Sequence, residues 1–189
     1  MPWYHFNAES NRHITRMHFR RAELSDAAAL AAFAARTFAE TYGADNRPEH
    51  MAVHLAASYG PAQQSRELAD PAYITIVAEA DGALAAYAQV RRGTPPPCVA
   101  GPAPVELYRF YVDRPWQGRG VARLLMDAVH DAAVRLGGRT LWLSVWERNP
   151  RARAFYEKCG FVDAGTANFY VGPDRQTDRI LVAAFNSGK

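Results

Sequence analysis

The chain reads as one α/β domain of the α+β type, built on a mixed sheet. Three observations predict it. Short β-branched and aromatic runs alternate with helical-period stretches along the whole sequence, with no internal repeat. An Asp81-Gly82 pair between two strand-like runs marks a tight antiparallel hairpin. A glycine-bearing turn joins a strand-like run to a long amphipathic one across residues 105–136.

Element by element, residues 1–16 read as an N-terminal extension and residues 17–189 as the single domain. Met17 to Arg21 is the first strand. Ser25 is the expected N-cap of an alanine-rich helix from Asp26 to Ala39, with Gly43 near its end. Asn46-Arg47-Pro48 opens a second helix running to about Tyr59, which Gly60-Pro61 breaks, and a third stretch reaches about Leu68. Tyr73 to Glu79 and Leu84 to Arg91 are strands. Gly93 to Pro104 holds five prolines and reads as a loop. Val105 to Val112 is the next strand, followed by the turn and a helix from about Gly120 to Leu136. Its apolar positions Val121, Leu124, Leu125, Ala128, Val129, Ala132 and Leu136 keep the helical period, and Gly137-Gly138 ends it. Thr140 to Val145 is a strand. Asn149-Pro150 then supplies an N-cap and a first-turn proline for a helix that Gly160 closes. Strands at Phe161–Asn168 and Ile180–Phe185 complete the order.

Composition narrows the function classes. Hydrophobic residues make up 49% of the 189 and charged residues 22%, ordinary for a globular protein with a sizeable core. The longest apolar run falls far short of a membrane span, and Met1 to Met17 lacks an apolar leader core, so the expectation is a cytoplasmic protein with no membrane partner. A net charge of +3 is too small and scattered to argue for nucleic acid. Cys98 and Cys159 have neither zinc spacing nor a disulfide framework. His50 and His54 have the i, i+4 spacing of metal ligands but no third ligand, and no metal is expected.

The turn carries the chemistry. Gln117, Gly118, Arg119 and Gly120 lie between strand and helix, where glycines let several backbone N–H groups converge on one hollow. The helix N-terminus adds about half a positive charge, so the hollow suits a phosphate or pyrophosphate. Downstream stands Asn149-x-x-Ala152-x-x-Phe155-Tyr156-x-x-x-Gly160-Phe161.

Together with Gln117, Gly120 and Ala122, this second motif resembles the GNAT superfamily of N-acetyltransferases, over roughly residues 18–186. Phe38 to Tyr42, Asn46 to Glu49, Glu106 to Val112, Val145 to Asn149 and Gly172 to Asp178 resemble its PaiA-like branch, which includes polyamine acetyltransferases. The resemblance implies a central, mostly antiparallel mixed sheet with helices on both faces, and acetyl-CoA as co-substrate. Gln117, Gly118, Arg119, Gly120, Val121 and Ala122 would seat the pyrophosphate. The pantetheine arm would lie along the strand ending at Val112, with Asn149 bonding to it. Backbone groups near Tyr111 and Val112 would face the thioester carbonyl.

The reaction to be explained is attack of an amine on a thioester. An alkyl ammonium has a pKa near 10.4, so presenting it unprotonated at neutral pH costs roughly 4 kcal/mol, and a base must help. Glu106 holds the place of the glutamate base in histone-acetylating members of the superfamily, with Glu147 and Glu40 as rivals. Tyr156 is the candidate acid for the leaving thiolate. Glu40 and Tyr42 fall on the acceptor side. Asp45 and Glu49 could join Glu40 in an acidic wall for a cationic acceptor. Trp142, Trp146 and Phe155 are expected to be core, and Ser144 lacks a nucleophile's context. The leading reading is acetyl transfer to a primary amine of a small molecule, a polyamine among the candidates, by a monomer or homodimer. The alternatives are acetylation of a protein N-terminus or lysine, and a non-catalytic acyl-CoA sensor.

Overall fold

The computed structural model describes residues 17–184, so the expected extension at 1–16 lies outside the described residues. Seven strands run in chain order as β1 (His18–Arg21), β2 (Tyr73–Ala80), β3 (Ala83–Arg91), β4 (Pro104–Val112), β5 (Thr140–Trp146), β6 (Val162–Val171) and β7 (Asp174–Ala184). Five helices accompany them: α1 (Ala27–Tyr42), α2 (Pro48–Ser58), α3 (Pro61–Ala69), α4 (Val121–Arg135) and α5 (Pro150–Lys158). The strands form one sheet in the order β1-β2-β3-β4-β5-β7-β6. Every neighbouring pair is antiparallel except β4 with β5. This is the mixed, mostly antiparallel architecture expected.

The sheet is covered on both faces because its strands are apolar on both. On one face Val121, Leu125, Met126 and Val129 of α4 pack on Ala88, Val105, Leu107, Leu141 and Leu181. On the other, Leu30, Phe33, Ala34 and Phe38 of α1 join Met51, Tyr59, Val77 and Tyr87. Burying each of these large side chains stabilises the fold by about 1.5–3 kcal/mol. Among the described residues no helix is long and apolar enough to cross a membrane.

Two local expectations are corrected. Ser25 does not cap α1: it lies inside a 3-10 turn, Leu24–Asp26, that precedes the helix. Asp26 holds the N-cap position of α1 without a side-chain bond to the helix, and its carboxylate accepts instead from the Glu23 N–H at 2.7 Å and from the Arg20 guanidinium at 2.7 and 2.8 Å. The bonds from Arg20 are charge-assisted. The last hairpin is also longer than its apolar runs suggested. Strand β7 begins at Asp174 rather than Ile180, turning through Gly172-Pro173. Its polar half, Asp174 to Arg179, pairs in register with Thr166 to Val171.

Two features of β4 position the site. It pairs with β5 only over Pro104–Glu106 against Thr140–Trp142, and beyond Glu106 the two strands part. On its other side it pairs with β3, where Val90 faces Leu107 and Gln89 faces Arg109. Tyr108 is therefore an extra residue, a β-bulge of the kind that re-aims side chains beside functional sites.

Candidate active site

The parted strands open a cleft of about 630 Å³, lined by Leu107 to Val112 of β4, Ser144 and Val145 of β5, the turn after β4, and α5. Past Glu106, the β4 edge that faces β5 has no strand partner, so its backbone polar groups are free for an extended ligand. Val112 O is the exception, accepting from Gln117 Nε2 at 2.8 Å.

The turn is built in three steps. Asp113 accepts from the Arg114 N–H at 2.9 Å and starts a 3-10 turn, Arg114–Trp116. Its carboxylate also takes both arms of Arg36 at 2.8 and 2.9 Å, tying the turn to α1, and this pairing holds the Asp113 carboxyl below its usual range. Gly118 and Gly120 then adopt left-handed backbone, at φ +74° and +87°. Side chains reach that region only at a cost of about 1–2 kcal/mol. Gly120 is the N-cap of α4, whose first turn carries no acidic residue. Gln117, Gly118, Gly120 and Ala122 all border the cleft. Arg151 donates to Gln117 Oε1 at 2.7 Å and brings a second cation to it.

Helix α5 supplies the opposite wall. Asn149 is its N-cap, accepting from the Ala152 N–H at 3.0 Å, and Pro150 follows in the first turn. Asn149, Phe155 and Tyr156 line the cleft. Tyr156 is 8% exposed, packed by Phe110, Phe155 and Phe161, and burial pushes its phenol up. It therefore stays protonated through neutral pH.

A second cavity of about 480 Å³ adjoins the cleft. Tyr42, Tyr108, Arg109, Tyr111 and Ser144 border both spaces. Glu106 lines this second cavity, 6% exposed, with Arg91 Nε at 2.6 Å from its Oε2. Burial raises the Glu106 pKa and Arg91 opposes the rise. Burial likewise raises the Tyr42 phenol, and the charge of Asp178 acts in the same direction.

The structure thus brings Tyr111, Val112, Gln117, Gly118, Gly120, Ala122, Asn149 and Tyr156 around one cleft. Arg119 lies in the same turn, its guanidinium 5.8 Å from the Trp116 ring centre, and Val121 is fully buried as the first residue of α4. Glu40 borders the cleft rather than the second cavity, with Arg36 at 3.1 Å and Arg114 at 3.8 Å. Asp45, Glu49 and Glu147 line neither space. Trp142 is buried as expected of core and Phe155 packs against the core, while Trp142 and Trp146 also line the second cavity and Phe155 the cleft. His54 stacks on Phe38 with ring centres 4.7 Å apart. Asp178 on β7, hydrogen-bonded by Ser144 at 2.7 Å, was missed by sequence reasoning. The period-2 spacing of Gln176, Asp178 and Ile180 was the signal that could have found it.

A left-handed glycine cradle at a helix N-terminus, opening onto an unpaired strand edge, defines a protein that binds an extended phosphorylated ligand. A sequence model of the acetyltransferase (GNAT) family matches residues 31–161. The chain belongs to that family, and is an acetyl-CoA-dependent N-acetyltransferase of the GNAT type. It is 35% identical over 159 residues to an uncharacterized N-acetyltransferase of Mycobacterium tuberculosis, covering 84% of this chain and 97% of that one. Over 78 residues it is 36% identical to the ribosomal protein bS18-alanine N-acetyltransferase of Escherichia coli, 41% of this chain and 53% of that protein. Its fold matches the crystal structure of PaiA N-acetyltransferase from Thermoplasma acidophilum in complex with coenzyme A. The TM-score is 0.72 at 17% identity, covering 89% of this chain and 99% of that one.

Proposed function

We propose that this protein moves the acetyl group of acetyl-CoA directly to a primary amine of a small-molecule acceptor. The observation that carries the reading is the adjacency of two spaces. A cleft with a glycine turn on its border and an aromatic-walled cavity share five lining residues where β4 and β5 part. The polyamine acceptors of the PaiA-like branch are one candidate class. The bS18-alanine relative favours a protein N-terminus, but its match covers less than half of this chain. The test is thiol release from acetyl-CoA with single amines and with short peptides. Turnover with small amines supports the reading, and turnover with peptides alone contradicts it.

The residues divide the work as follows. Gln117 to Ala122 hold the pyrophosphate on backbone N–H groups and the α4 N-terminus. The free edge of β4 up to Tyr111 and Val112 holds the pantetheine arm as an added strand. Acetyl-CoA supplies an activated acyl group whose carbonyl gains negative charge when an amine attacks. Backbone N–H groups near Tyr111 and Val112, at the end of β4, stabilise that charge. Tyr42 borders the acceptor's approach, and Glu40 the mouth of the cleft. Tyr156 hydrogen-bonds the departing sulfur. Glu106 takes the acceptor's proton.

Each of two roles has its own measurement. Asn149→Ala loses the cap of α5 and about 1 kcal/mol of unfolding free energy, read by urea titration. Asn149→Asp keeps a capping oxygen and the stability. Both raise the KM for acetyl-CoA severalfold if Asn149 also bonds the pantetheine arm, and an unchanged KM leaves it a cap alone. For Glu106 the active form is the carboxylate. Activity is therefore complete above its folded pKa and lost as pH falls through it. Because burial raises that pKa, the acid limb of kcat/KM lies above the usual carboxylate range. Glu106→Gln abolishes the limb. A limb that survives moves the role to the cavity's other carboxylate, Asp178.

A further inference from the structure

Four charged side chains line the second cavity: Arg91, Glu106, Arg109 and Asp178. Three of them are compensated. Arg91 and Glu106 form an ion pair at 2.6 Å. Arg109, 5% exposed, is paired with Glu67 and donates to Gln89 Oε1 at 2.9 Å and to the Ser58 carbonyl at 3.0 Å. Asp178 is different. It too is 5% exposed, but only its Oδ2 is engaged, by Ser144 Oγ at 2.7 Å, and its Oδ1 has no hydrogen-bond partner. A buried carboxylate left half unpaired is costly, and a cationic donor in the cavity would offset that cost. Trp142 Nε1, buried on the same wall, is a second unpartnered atom and lacks an acceptor. Ser144 borders both spaces, which sets the Ser144–Asp178 pair where acceptor and acetyl donor would meet.

The remaining walls say what the rest of the acceptor is. Phe38, Tyr42, Tyr59, Tyr108, Trp142 and Phe169 make the lining strongly aromatic. Two of these rings, Tyr59 and Tyr108, already carry the protein's own cations. The Arg91 guanidinium sits 3.5 Å from the Tyr108 ring centre, and that of Arg109 sits 4.5 Å from Tyr108 and 4.8 Å from Tyr59. A polycation's further ammonium groups would find no free carboxylate there, because Glu106 and Glu67 are already engaged by Arg91 and Arg109. A flat apolar body meets no such penalty and gains the burial.

We propose that Asp178 docks the acceptor's ammonium group, and that the acceptor is an arylalkylamine: one primary ammonium on a short chain from an aromatic body. The proposal rests on the N-acetyltransferase reading and narrows its substrate class. The transfer is unchanged by it: the docked ammonium first gives one proton to the protein, the freed amine nitrogen bonds to the acetyl carbon, the C–S bond breaks, and a second nitrogen proton ends on the departing thiolate as the thiol.

The test uses tyramine, spermidine and a short peptide with an N-terminal alanine, each with acetyl-CoA, and reads thiol release. Tyramine also offers a phenol oxygen to Trp142 Nε1. The expected result is a kcat/KM for tyramine at least about tenfold above that for spermidine. Asp178→Asn raises the tyramine KM about 30-fold or more, as expected when one partner of a buried charge pair is removed, and leaves the acetyl-CoA KM unchanged. Preference for spermidine or the peptide, or a tyramine KM that Asp178→Asn does not move, overturns the proposal while leaving the transferase reading intact. Calorimetry of tyramine on the CoA-bound protein separates the two failures. Binding that Asp178→Asn abolishes supports the docking site even without thiol release, and no binding overturns it.

Discussion

Gly120→Asp weakens CoA binding by at least about 100-fold, whereas Gly120→Asn, of the same size, weakens it by about tenfold or less. Gly120 has φ +87° and caps α4 beside the cleft. Asn and Asp are the side chains that best tolerate left-handed backbone, so strain is similar in the two variants. They differ in charge. A carboxylate about 5 Å from a phosphate charge, at an effective dielectric of about 20, repels it by roughly 3 kcal/mol, and reverses the favourable field of the helix end. Calorimetry with CoA measures the difference, and rising salt shrinks it by screening. Equal losses in the two variants would mean that this turn acts through shape alone and seats no phosphate.

Tyr156→Phe lowers kcat by about 10- to 1000-fold, with CoA affinity and stability close to wild type. The ring's contacts with Phe110, Phe155 and Phe161 involve no hydroxyl, so the variant keeps its packing. What it loses is a donor inside a low-dielectric cleft. Burial raises the Tyr156 pKa, which keeps the proton on the phenol through neutral pH but makes it a weak acid. The effect is therefore hydrogen bonding to a developing thiolate, with proton transfer late, and the loss is partial. Single-turnover kinetics isolate the chemical step from product release. An unchanged single-turnover rate would leave Tyr156 a packing residue of α5.

The elements around the cleft were legible because each has a local cause. Positive φ favours glycine, so Gly118 and Gly120 show themselves in the sequence as a turn before α4. Asn149-Pro150 announces a helix start through a cap and a fixed φ, and Asp81-Gly82 announces the β2–β3 hairpin. The second cavity was poorly legible because its causes are not local. The parting of β4 from β5 depends on sheet order, and the bulge at Tyr108 depends on how β3 pairs with β4. Asp178 was hidden in a polar run that reads as loop until β6 is seen to pair with it. That Trp142 and Trp146 also line a cavity is not legible, because an aromatic cavity wall and an aromatic core have the same composition. Glu40 fell where the early helices suggested an acceptor wall, yet Arg36 and Arg114 engage it at the mouth of the cofactor cleft.

Direct transfer from acetyl-CoA to an amine, with no acetyl-enzyme between them, is the central claim, and one measurement reaches it. The protein is mixed with carbonyl-labelled acetyl-CoA, first alone and then with a pool of aromatic amines, polyamines and N-terminal peptides. Thiol release and the mass of each acceptor are followed together. The expected result is no thiol burst without amine, then thiol released one for one with a labelled amide on a small-molecule amine. A stoichiometric burst in the absence of amine, or tight acetyl-CoA binding with no labelled product from any amine, would contradict it.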